Sequence, residues 1–144
     1  MTQNPIWKRC LILSNRNKQK GDRAEIATRN YVEDKYPGSF RTRAGFNDDL
    51  GDIVIEHPAG RIIIQVKDVA TPAWKTWYKQ LNDQIETAKQ ESDKPVAGGI
   101  VLHKYRGKAD PEQWHAVTQL GNFLELIDEA YNAGVEQGMR NMNN

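Results

Sequence analysis

The 144 residues suit one domain with a single core, and an apolar fraction of 38% with four tryptophans provides the side-chain area to fill it. No apolar run approaches the roughly 20 residues a membrane span requires, and Met1 to Arg9 is polar and basic, without the apolar stretch or cleavage pattern of a secretory signal. The net charge of +1 is unevenly spread: residues 1–46 hold 10 lysines and arginines against 4 acids, a net of +6, and the remainder carries −5, so the front half can attract phosphate and later carboxylates can hold cations.

Cys10 is the only cysteine, which excludes an internal disulfide and a thiol zinc cluster. Its neighbours Leu11, Ile12 and Leu13 predict a buried, inert thiol, as in a reducing intracellular setting. Residues 14–20 (SNRNKQK) lack apolar periodicity and read as an exposed basic lead-in, setting residues 1–20 apart from a domain over 21–132. Asp22 can cap a helix whose Ala24, Ala27, Tyr31 and Val32 share a face, ended by Pro37-Gly38. Ser39 to Arg43 suggests a short strand before the loop AGFNDDLG.

Asp52 to Glu56 and Arg61 to Lys67 are β-rich runs joined by His57-Pro58-Ala59-Gly60, a hairpin. Thr71-Pro72 resembles an N-cap and first-turn proline, after which Trp74, Trp77, Leu81, Ile85 and Ala88 follow at helical spacing. Val96 to Lys104 reads as a strand made permissive by Gly98-Gly99. Asp110 to Gln113 fits a capping box, but a turn followed by a strand over Trp114 to Thr118 is preferred. A last helical face follows at Leu120, Phe123, Leu124, Ile127 and Tyr131, with residues 133–144 read as a frayed tail. The order α-β-β-β-α-β-β-α implies an α/β fold, a mixed sheet flanked by helices.

A hairpin turning about Pro58-Ala59 pairs residues whose numbers sum to 117, placing Asp52 opposite Gln65. Alternation turns Ile62, Ile64 and Val66 one way and Ile63, Gln65 and Lys67 the other. Asp52, Gln65 and Lys67 therefore meet at one hairpin end. Divalent cations take oxygen ligands, which the Asp52 carboxylate, the Gln65 amide and the Val66 carbonyl can supply. Lys67 beside such a cation can orient or deprotonate a water and stabilise charge on a phosphate. Glu25 is either a further carboxylate of this site or a capping-box partner of Asp22.

Gly21-Asp22-Arg23-Ala24-Glu25, Arg43-Ala44-Gly45, Gly51-Asp52-Ile53-Val54 and Gln65-Val66-Lys67 together resemble the motifs of PD-(D/E)XK nucleases, and among them the archaeal and phage Holliday-junction resolvase-like enzymes. The likeness covers roughly residues 18–130. It implies a restriction-endonuclease-like fold and Mg²⁺-dependent (or Mn²⁺-dependent) hydrolysis of DNA by Glu25, Asp52, Gln65 and Lys67. It further implies a branched substrate cut by a homodimer in a prokaryotic or phage-infected cytoplasm. Gln65 departs from the family's usual glutamate and removes one negative charge from the site. DNA contacts are expected from Arg16, Lys18, Lys20, Arg23, Arg41, Arg43, Lys104 and Arg106. Asp48 and Asp49 read as a solvated loop, Gln84 as a surface residue, Trp74 and Trp77 as core. His57 reads as structural, and His103 with His115 makes a poor zinc site without thiols.

Overall fold

The computed structural model describes residues 6–42 and 51–143, with side chains described from Arg16 onward except Asn17. Helix α1 (Ile6–Lys35) leads into strand β1 (Phe40–Arg41), then the hairpin of β2 (Ile53–His57) and β3 (Gly60–Lys67). Helix α2 (Trp74–Glu91) crosses to β4 (Val96–His103); a one-turn 3₁₀ segment (Pro111–Gln113), β5 (His115–Val117) and α3 (Leu120–Met142) complete the chain. The sheet runs β1-β2-β3-β4-β5, antiparallel except for the β3–β4 pair, which α2 connects. This is the mixed α/β architecture that the element order implies.

The hairpin register is as the sequence sets it. Ile53 pairs with Ile64 and Ile55 with Ile62, without a bulge, and His57 Nδ1 accepts from Ala59 N in the turn at 3.0 Å. Because β3 lies inside the sheet with both faces covered, its apolar run is continuous rather than alternating. Ile53, Ile64, Val66, Leu102 and Trp114 pack with Ala24 and Val32 of α1. Val54, Ile63 and Val101 pack with Trp77, Leu81, Ile85 and Ala88 of α2. Gly99 admits this second layer, since a Cβ there would stand 2.7 Å from the Ile63 carbonyl oxygen.

Several expectations need correcting. The basic stretch 14–20 is helical, not a lead-in: its Arg, Lys and Gln residues favour helix, and the packed half of α1 supplies the nucleus from which helix propagates. Asp22 consequently lies inside α1 and caps nothing, which removes the capping-box alternative for Glu25. Thr71 is not the cap of α2; Ala73 is, with no side-chain bond. The tail is helical, since α3 runs to Met142 with an Arg140–Glu136 pair one turn apart. Asp110 does cap, but only the single 3₁₀ turn, accepting from Glu112 N at 3.0 Å. The apolar face of α3 points outward, a direction its spacing leaves open, with Leu120 70% and Tyr131 71% exposed. Arg43, the 44–50 loop with Asp48 and Asp49, and the Cys10 side chain lie outside the described residues.

Candidate active site

The site is built where β2 stops and β3 continues. Gly51 stands at φ 86°, and a Cβ there would come within 2.6 Å of Ile63 Cγ2, so the chain reaches this spot only as glycine. Asp52 follows. Its backbone N donates to the Ile64 carbonyl at 3.0 Å, and its carboxylate accepts from Val66 N at 2.8 Å. Val66 N–H points along the sheet toward where β2 would extend, so the carboxylate takes the place of a further strand residue. Thr42 closes the other side, donating its N–H to the Asp52 carbonyl at 3.1 Å and its hydroxyl to the Gly51 carbonyl.

Glu25 approaches Asp52 from α1. Burial, and after it the neighbouring Asp52 carboxylate, push the Glu25 carboxyl above its ordinary range, against the lowering effect of Arg41. Arg41 donates from Nε to Glu25 Oε2 and from an amino nitrogen to Asp22 Oδ1, each at 2.7 Å. Arg41, one of the expected phosphate contacts, neutralises these carboxylates, because β1 sits directly beside α1.

Gln65 and Lys67 lie on the α2 side, as alternation requires. Gln65 is 3% exposed, and its Oε1 accepts no hydrogen bond from the described residues. A buried amide oxygen left so is costly and is the oxygen a cation would take. Lys67 Nζ donates to Gln80 Oε1 at 3.2 Å and lies 5.7 Å from the Trp77 ring centroid. The hairpin end thus gathers Asp52 with the Gln65-Val66-Lys67 backbone, while Glu25 leans toward Arg41 and the Lys67 amine toward α2. Among the described residues, no three or more His, Cys, Asp or Glu side chains form a metal-binding group.

Beside Lys67 opens a groove of about 400 Å³ lined by Arg16, Gln19, Lys20, Arg23, Asp68 and Lys104. Four of the predicted phosphate contacts therefore converge. Lys104 N donates to the Lys67 carbonyl at 2.9 Å, which ties the groove to the hairpin end. Lys18 and Arg106 are exposed elsewhere.

Two participants escape the sequence reading. Asp68, its side chain 10% exposed, lies 3.4 Å from Lys20 and 3.6 Å from Lys104, organising the groove. Gln80 supports Lys67; its only sequence signal is its place one turn beyond Trp77 on the α2 face. Gln84, read as a surface residue, is buried under Gly51, its Oε1 3.3 Å from where a Cβ would stand. Trp77 is core as expected, and His103 is held by the Val69 carbonyl at 2.7 Å, opposite His115 across the β4–β5 pair. No described helix is long and apolar enough to cross a membrane. Comparison of the chain with models of known families, with curated proteins and with solved structures finds no match.

Proposed function

We propose that this chain is a divalent-metal-dependent DNA endonuclease with a restriction-endonuclease-like fold, acting on branched DNA such as four-way junctions. The observation that carries the reading is the hairpin end. There Asp52 is fixed on Val66, Glu25 stands close enough for its ionisation to feel Asp52, and Gln65 offers a buried amide oxygen with no partner among the described residues. The residue types fit a hard cation, and Asp52, Glu25, Gln65 Oε1 and the Val66 carbonyl would hold it. When bound, such an ion supplies charge neutralisation at a phosphate and an acidified water. Lys67, steered by Gln80 and Trp77, presents an ammonium to charge developing on the phosphate. The groove with Arg16, Lys20, Arg23 and Lys104 takes the neighbouring backbone phosphates.

The test is cleavage of labelled four-way junction and equal-length duplex in Mg²⁺ and in EDTA, for the parent chain and for Asp52→Ala and Lys67→Ala. The parent is expected to cut the junction in Mg²⁺ only. Both variants should bind it and cut at least about 100-fold more slowly. Undiminished cleavage by Asp52→Ala removes the reading, and equal cutting of duplex points to a restriction- or repair-type enzyme. A second reading, a nucleic-acid-binding descendant without activity, draws on Gln65 in place of a carboxylate and on Arg41 holding Glu25. It predicts salt-sensitive binding and no metal-dependent cleavage by the parent chain.

A further inference from the structure

Helix α3 has two opposed faces. Asn122, Leu126 and Ala133 are half-buried on the inner one, where a Cβ on Gly98 would stand 3.0 Å from Leu126 Cδ2. Lys89–Glu125 at 2.7 Å and Asn122–Asn82 at 2.9 Å fasten it to α2. The outer face is apolar along the whole helix, yet its large side chains are between 38% and 86% exposed.

The arrangement of those side chains is symmetric. Leu120 and Met142 lie equally far from Tyr131, as do Phe123 and Met139, and Ile127 and Val135. The remaining large one, Leu124, mirrors onto Gly138, a gap able to receive it. We propose that α3 pairs antiparallel with α3 of a second copy of this chain, around a two-fold axis at Tyr131. Such an interface is self-complementary, each residue meeting its mirror partner twice.

The charges agree with this pairing. Under the same mirror, Asp128 faces Gly134, while Glu125, Glu129 and Glu136 lie toward the inner side of the helix, so no acid opposes an acid. A lipid surface would favour lysine and arginine beside the apolar face, where this helix carries acids. From these exposures the outer face offers on the order of 800 Å² of side-chain surface per chain, the amount a standard stable interface buries on each partner. The pairing rests on α3 alone and holds whether or not the chain cuts DNA.

Sedimentation equilibrium on the full chain across a dilution series tests it. The parent chain is expected to be a dimer, and Tyr131→Glu, which sets two carboxylates against each other at the axis, a monomer with unchanged helix content by circular dichroism. In a Cys10→Ser background, Tyr131→Cys should oxidise to a cross-linked dimer while Glu136→Cys on the inner side should not. That cross-link decides the matter if Tyr131→Glu loses its helix signal. A parent chain monomeric throughout overturns the pairing and leaves the face to a different protein. A dimer that survives Tyr131→Glu and fails to cross-link at 131 overturns the surface.

Discussion

Glu25 illustrates how one side chain's neighbours set its chemistry. Desolvation and Asp52 together outweigh the lowering effect of Arg41, so the folded chain holds the Glu25 proton more tightly than the unfolded one does. Ionising Glu25 therefore opposes folding. The protein loses this share of stability as pH climbs from the unfolded carboxyl value through the raised folded one. Glu25→Gln removes the loss. Thermal unfolding in EDTA should show the variant gaining on the parent as pH is raised from well below to well above the ordinary glutamate value of 4.5. A difference in melting temperature that is the same at both ends would contradict the assignment. Asp52 and Lys67 belong to this scale as well. One is fixed by a backbone N–H and the other by Gln80, so the losses expected of Asp52→Ala and Lys67→Ala are losses of positioned groups rather than of fold.

At the scale of elements, α1 matters most for the groove. Arg16, Lys20 and Arg23 reach one side of it because successive helical turns return to the same face, and Lys104 closes it from the end of β4. If DNA lies there, Arg16→Gln combined with Arg23→Gln should weaken binding similarly for all sequences. The slope of log affinity against log salt should fall by about 2, one phosphate contact per side chain removed. An unchanged slope, measured by fluorescence anisotropy at several salt concentrations, would place the DNA elsewhere. Helix α3 is the other telling element. Its pattern satisfies every sequence test for amphipathicity, yet the stripe faces away from its own sheet, and the Tyr131→Glu dissociation proposed above tests that placement.

For the whole molecule, the sheet separates two apolar layers, one under α1 and one under α2. Leu81 is fully buried in the second, beside Ile63, Ile85 and Val101. Leu81→Ala should cost about 2–5 kcal/mol, the usual range for a leucine cavity in a packed core. Urea unfolding monitored by tryptophan fluorescence reads it directly. A loss well under about 1 kcal/mol would mean that this layer tolerates a cavity as a loosely packed one would. The same core also sets the site, because Ile53 and Ile64 anchor the strands whose ends carry Asp52 and Gln65.

By itself the sequence determined the order of elements, the hairpin register and the meeting of Asp52 with the Gln65-Val66-Lys67 segment. These depend on local rules: two-residue turn geometry, strict alternation along strands, and apolar spacing along helices. It misjudged the start of α1, a polar stretch of good helix formers with no periodicity to mark it, and the end of α3, where Gly134 and Gly138 interrupt an apolar spacing that continues through Val135, Met139 and Met142. It also took Asp22 for a cap and Gln84 for a surface residue, and it did not show the carboxylates beside Arg41. Those features depend on what stands opposite across space, as do the roles of Asp68 and Gln80, and only the packing of α1 against β1 and of α2 against β3 decides them. The outward turn of α3 belongs there too: a single helix shows that a stripe needs a partner, and the tertiary structure shows that its own sheet does not provide one.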